Sequence, residues 1–401
     1  MTSATDIPYL DLSDPGFRVD SEQVLEARER SWYARTNYGL AVLRYEQVSE
    51  LLKDRRLRQG SWAWPALNGV ETGPLVEWWN GALLNLEGED HRRIRKLLNP
   101  AFTPGLVNGL APRFRELATE LIDSLAERGR CEFVTEFAEP YATRVIALML
   151  GIPEREWRRL AQLSGDLGLF LGVTIKQDLD RIEAALEGLY GYADELIAER
   201  RDEPGDDFVG TLIKAQVDDD RLSREELRIS IVLLIFGGVD TTRNQLGLAM
   251  ETLLAHPEQW RLLAERPELG PNAVEEVMRV NPTVTWVTRE ALEDLTFEGL
   301  PIERGTTIHM LSSSAGSDPR AFGEDVQFDI TAEGRPRHFG FGGGVHHCIG
   351  HFVARGDMSE ALPLLARRLG NPRVEGEARW LPRSGNTGPI ELPIAFDPKG
   401  A

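Results

Sequence analysis

The segment His338-Phe339-Gly340-Phe341-Gly342-Gly343-Gly344-Val345-His346-His347-Cys348-Ile349-Gly350 constrains this chain more than any other stretch. It holds one of only two cysteines in 401 residues. Two thiols exclude a disulfide framework and a four-cysteine metal site. What remains is one thiol behind a glycine-rich loop and ahead of a helical stretch, a placement that suits a thiolate ligand for heme iron. Glycines 340, 342, 343, 344 and 350 let the backbone approach a large flat ligand closely. A thiolate at a helix start is expected to gain from the free N–H groups and the helix dipole, which lower its pKa. A lone cysteine is more often a buried structural residue, but here the frame F-G-x-G-x-H-x-C-x-G surrounds it.

Composition narrows the class. Hydrophobic residues make up 42% and charged residues 27%, the balance of a globular protein. The longest apolar stretch, Ile229 to Phe236 and on through Val239, is short of the ~20 residues a membrane span needs. The opening residues lack the basic and apolar pattern of an export signal. With two cysteines, a reducing cytoplasmic location without membrane attachment is expected. A net charge of −19 argues against a nucleic-acid partner. Arg92, Arg93, Arg95 and Lys96 nevertheless form a basic cluster, whose ordinary reading is a solvated helix face.

The pattern predicts a mainly α fold with a small β portion, in one domain spanning 1–401. Residues 1–20 read as an irregular entry, and helices are expected at about 22–35 and 46–54. The stretch 58–82, broken by Gly60, Pro65, Gly69, Gly73, Pro74 and Gly81, reads as a loop carrying Trp62, Trp64, Trp78 and Trp79. From Glu89 to about residue 265 the chain reads as mostly helical. Its clearest element opens with the capping-box pattern Ser223-Arg224-Glu225-Glu226 and runs to about Ala255 before His256-Pro257. That is roughly 33 residues, or about 50 Å, enough to cross the molecule. Later β-like runs are Leu295–Phe297, Thr306–Leu311 and Ile390–Phe396, so the β portion is expected mainly toward the C-terminal side.

Three further patterns carry chemistry. Gly237-Gly238-Val239-Asp240-Thr241-Thr242 interrupts the long helix with two glycines, each costing roughly 1 kcal/mol against alanine. They leave room for something small, and an acid and a hydroxyl follow. Glu276-Val277-Met278-Arg279 sets a Glu and an Arg three apart on one helix face. His91 and Arg95 share another face. Singly, each pattern is equally a kink, a surface pair or a surface charge.

Together, in this order, these residues resemble the cytochrome P-450 family of heme-thiolate monooxygenases. The resemblance covers nearly the whole chain beyond its first few dozen residues. It implies the P-450 fold, with the long central helix crossing a heme b (iron protoporphyrin IX). It makes Cys348 the iron ligand and Phe341, His346 and Gly350 part of the heme loop. His91, Arg95, Arg289 and His346 are implied as propionate contacts. Thr241 is implied to hydrogen-bond the bound dioxygen, Asp240 to relay protons, and Glu276–Arg279 to stabilise the core behind the heme. Ala315-Gly316-Ser317-Asp318-Pro319 departs from the family's usual Asn and Arg, which leaves local hydrogen bonding there in question.

Substrate-facing positions placed by resemblance are the 60–82 loop with Trp62, Trp64 and Trp78, Leu169 and Phe170, Leu233, Phe236 and Gly237, Thr285 and Trp286, and Asn386 and Thr387. The set suits a medium-sized hydrophobic or aromatic molecule, free or tethered to a carrier protein, with natural-product biosynthesis as the context. The family also implies electrons from NAD(P)H through a separate ferredoxin and ferredoxin reductase, docking near Arg92–Lys96. Two alternatives stand beside this reading: a peroxide-driven peroxygenase, and a non-catalytic heme- or ligand-binding protein.

Overall fold

The computed structural model describes residues 7–201, 208–217, 222–324, 326–381 and 385–398. Parts of the expected entry (1–6) and helical tract (202–207, 218–221) lie outside them.

Six helices position the site. They are α1 (Gly88–Leu98), α2 (Glu139–Leu150), α3 (Trp157–Gly168), α4 (Arg224–Leu254), α5 (Gly270–Val280) and α6 (His351–Arg368). The capping box at the start of α4 is complete. The Glu226 N–H donates to Ser223 Oγ at 3.2 Å, and the Ser223 N–H donates to Glu226 Oε2 at 2.8 Å. The helix runs 31 residues, about 46 Å. Apolar residues occupy most of its circumference, so it is stable only inside the protein. It packs against α2, α3 and α5. The α2 contact depends on Gly238, where an added Cβ would lie 2.6 Å from Ile146 Cδ1. One apolar core runs from Leu10 to Phe396 around this helix.

The largest sheet joins β1 (Tyr9–Leu10), β2 (Tyr33–Thr36), β3 (Gly39–Val42), β4 (Leu57–Gln59), β5 (Trp286–Ala291) and β6 (Thr307–Leu311), in the order β1-β2-β3-β6-β5-β4. Its register sets Gln59 opposite Arg289 and Thr288 opposite His309. β4 and β5 thereby bring residues 57–60 beside the segment after α5.

Several expectations need correction. The helix expected over 22–35 ends at Arg30, because Tyr33–Thr36 pairs with β1 and β3. The helix expected over 46–54 is Tyr45–Leu51. Residues 58–82 are not a loop; short helices at Trp64–Leu67 and Pro74–Gly81 use Pro65 and Pro74 near their N-termini, where no N–H is required. The run Ile390–Phe396 is two strands, Pro389–Glu391 and Pro393–Pro398, in different sheets. Among the described residues, eight of the thirteen strands follow residue 285, as expected, but four of the six main-sheet strands precede residue 60. The 315–319 segment is fully bonded: Arg279 Nη1 donates to Gly316 O, and buried Asp318 accepts from the Tyr45 and Arg320 N–H groups.

Candidate functional site

Cys348 is held by its own loop. Its N–H donates to Phe341 O at 3.0 Å, closing a turn that passes through Gly342 (φ +66°) and Gly344 (φ +69°). A side chain at Gly344 would be strained and would also meet Leu52 O at 2.4 Å. The turn ends at Gly350, the N-cap of α6. The N–H groups of Gly350 and His351 therefore face the sulfur, and the Arg95 and Arg355 cations lie near it. Burial nevertheless outweighs these groups and holds the thiol above its ordinary pKa, contrary to the expected depression. A thiol in that state ionises when a metal cation takes the sulfur. Among the described residues, no group of three or more His, Cys, Asp or Glu is arranged to hold a metal ion.

The cavity before Cys348 measures about 380 Å³ and is walled mostly by apolar atoms. Its cationic and imidazole groups converge from distant segments. Arg289, on β5, is 3% exposed, yet among the described residues its guanidinium donates only to neutral oxygens: Gln59 Oε1 at 2.7 Å, Thr288 O at 3.0 Å and Gly343 O at 3.0 Å. Burial lowers its pKa to about 10. His91, on α1, is buried with Nε2 unpartnered; burial first, then the neighbouring His346, pushes its pKa down to about 4. The two imidazoles lie 4.4 Å apart, and Arg95 donates to His347 O. His346 Nε2 lies 3.0 Å from Glu87 Oε1. Buried donors without anions are expensive. This set suits a ligand bearing carboxylates, and with the thiol and the flat apolar space it fits heme.

The helical acid and alcohol separate in space. Thr241 lines the cavity with Gly237 and Gly238, and its hydroxyl donates to Gly237 O at 2.6 Å. Asp240 lies outside the wall, 1% exposed. Its Oδ1 accepts from Arg243 at 2.6 Å; its Oδ2 accepts from Asn386 Nδ2 at 2.6 Å and Asn244 Nδ2 at 3.2 Å. Burial raises its pKa despite Arg243 and Asn386. Gly168 caps the site, since a Cβ there would lie 2.7 Å from Asp240 Oδ1.

Of the expected substrate positions, Trp64, Leu233, Phe236, Gly237, Trp286 and Asn386 line the cavity, while the others do not. Trp62 turns outward to donate to Glu290 Oε2 at 2.8 Å, with Arg58 over its ring. Trp78 and Phe170 are fully buried and pack edge-on against each other, behind the wall. Leu169 packs on the core. The Thr285 hydroxyl donates to Gly385 O, and the Thr387 hydroxyl to Leu381 O. The sequence reading covered Trp79 only through the 60–82 stretch and missed Leu83, Val145, Ile146, Gln245 and His309 in the wall. Helical spacing within 74–81 distinguishes Trp79 from Trp78 only once that helix is known. Of the basic cluster, Arg93 pairs with Asp90 and Glu226 and Arg95 faces inward, while Arg92 and Lys96 border a surface depression beside Val345.

Comparison with known proteins agrees with this geometry. The family model described as Cytochrome P450 matches residues 159–370. Luteothin monooxygenase of Streptomyces thioluteus is 38% identical over 98% of this chain and 97% of that protein. Mycinamicin IV hydroxylase/epoxidase of Micromonospora griseorubida is 35% identical over 88% of this chain and 89% of that protein. The crystal structure of P450BioI with an acyl carrier protein ligated to hexadec-9Z-enoic acid superposes with a TM-score of 0.86 at 29% identity, over 96% of this chain and 99% of that one.

Proposed function

The chain belongs to the cytochrome P450 family, and on that premise we propose how its residues share the work of a heme-thiolate monooxygenase. The carrying observation is one cavity lined by Cys348, Thr241, His91, Arg95, Arg289 and His346. Bound there, heme supplies dioxygen activation, with the thiolate favouring O–O cleavage. Cys348 ligates the iron. His91, Arg95, Arg289 and His346 would hold the propionates, which would give Arg289 a directly bonded anion. Thr241 supplies a hydroxyl at the cavity wall, and Asp240 stands behind it to relay protons. Glu276–Arg279 is structural. Residues 1–401 act as one catalytic domain, supported by the continuous core.

Trp64, Trp79, Trp286 and Phe236 favour a medium-sized hydrophobic or aromatic substrate. The named relatives point to a natural-product intermediate. The acyl-carrier complex of P450BioI supports carrier delivery as a route, separable by assaying the free acid against its carrier thioester. Electrons come from NAD(P)H through ferredoxin and ferredoxin reductase, with Arg92 and Lys96 on the docking face. Among the described residues, no helix is long and apolar enough to cross a membrane, and we place the enzyme in the cytoplasm, where such partners work.

The test is reconstitution with heme. The reduced carbonyl complex should show the thiolate-type Soret band, and NADPH with both redox proteins should drive oxygen insertion. A protein that binds no heme refutes the reading; full turnover with peroxide and none with NADPH refutes the electron route.

A further inference from the structure

Asp240 is enclosed on every side by identifiable groups. From its own helix come Arg243 on Oδ1 and Asn244 on Oδ2. From α3 comes the backbone at Gly168. From α2 comes Glu139, 3.8 Å from Arg243. From the turn before Pro389–Glu391 comes Asn386, whose Nδ2 donates to Oδ2 at 2.6 Å. Among the described residues, Asn386 is the only donor to Asp240 that also lines the cavity.

The Asn386 side chain is fixed at both ends. Its Oδ1 lies 2.9 Å from the Thr283 hydroxyl, whose single proton is shared with Thr387 O at 2.7 Å. Its backbone bridges to Val284, and the neighbouring Thr387 N–H donates to Thr283 O at 2.9 Å. Its amide orientation follows from these partners, because only the nitrogen can serve a carboxylate and only the oxygen can accept the hydroxyl. The side chain keeps only its second N–H and second lone pair for a substrate. It remains part of the surface that a substrate presses against.

We propose that Asn386 is a positioning residue for Asp240, through which the occupant of the cavity sets the acid's position and readiness to accept a proton. This rests on the reading of Asp240 as the proton-relaying acid. The amide ties the Asp240 carboxylate to the 385–387 segment. An occupant that displaces residues 385–387 loosens that bond. The carboxylate then loses a donor to its charged form, binds a proton more readily and gains freedom to turn. A hydrogen bond to a charged group is worth about 1.5–3 kcal/mol, so its loss corresponds to a rise of roughly one to two pH units.

The test is pH-difference infrared spectroscopy on the heme-loaded protein, with the Asp240 carboxyl band assigned by its disappearance in Asp240→Asn. In Asn386→Leu the protonation midpoint should rise by about one to two pH units. Thr283→Val, which frees the amide without touching Asp240, should move it less in the same direction. Filling the cavity with 4-phenylimidazole should raise the midpoint in the unmodified protein and leave Asn386→Leu unchanged. Unmoved midpoints in both variants, or an equal phenylimidazole shift with and without Asn386, overturn the proposal. An Asp240→Asn protein with undiminished NADPH-driven coupling would instead overturn the premise about Asp240, whatever the midpoints show.

Discussion

Replacing Glu276 by Gln isolates the charge of a buried ion pair while keeping its shape. Glu276 and Arg279 are 4% and 3% exposed, and Arg279 donates to the carboxylate from Nε at 2.8 Å and from Nη2 at 2.7 Å. The same carboxylate accepts from Arg335 and from the Asp329 N–H at 3.0 Å. Arg279 also donates to Gly316 O and Gln327 O, so it cannot swing out to water without undoing a second layer of contacts. Burial already pulls its pKa down to about 10. Removing the anion leaves an uncompensated buried cation, a change that costs about 3–5 kcal/mol. The entropy of unfolding scales as about 2.1 cal/mol/K per residue. For 401 residues that is about 0.84 kcal/mol/K, so Tm should fall by about 4–6 °C. Circular dichroism melts of the heme-loaded protein measure this. The folded variant should keep the thiolate-type carbonyl spectrum, because neither residue lines the cavity. A Tm within about 1 °C of the unmodified protein would refute the ion-pair reasoning. Loss of the spectrum without loss of Tm would refute the structural assignment.

Other predictions are briefer. Cys348→Ser should abolish the thiolate-type Soret band of the reduced carbonyl complex, and its persistence would remove Cys348 from the iron. Gly237→Ala should stabilise α4 by about 0.5–1 kcal/mol, since nothing lies within 4 Å of the added Cβ. Gly238→Ala should lose about 1–3 kcal/mol to its overlap with Ile146; chemical denaturation giving the opposite ranking would contradict the packing described. Thr241→Val should consume NADPH with less product per electron pair, and unchanged coupling counts against the hydroxyl's role. Burial opposes ionisation of Glu275, but His338 and Arg355 more than offset it and hold its pKa at about 2. Its folded pKa lies below its unfolded value of about 4.3, so its contribution is present above pH ~4.3 and is lost as pH falls toward ~2. Glu275→Gln should therefore flatten acid-induced destabilisation in that window, seen as a smaller drop in Tm between about pH 5 and pH 3.

The sequence was most legible where the interacting groups are neighbours along the chain. The capping box at Ser223, the Glu276–Arg279 pair and the cysteine turn all close within a few residues. Strands were less legible: β3 is four residues long and pairs on one side with β6, far along the chain. The charge cluster on α1 shows the same limit. Arg92, Arg93, Arg95 and Lys96 are adjacent in sequence, yet Arg93 goes to an ion pair and Arg95 to the cavity.

By itself, the sequence determined the cysteine frame, the long helix and the order of charged partners, because each depends on local geometry and a few obligatory residue types. Only the tertiary structure decided which apolar side chains face the cavity. Trp78 and Trp79 are adjacent and both 1–2% exposed, but one packs behind the wall and the other forms it. Burial rewards an aromatic ring equally in either place. Close packing among segments far apart in the chain makes the choice. The same packing drew Asn386 onto Asp240 across 146 positions, an encounter that no spacing rule in a linear chain contains.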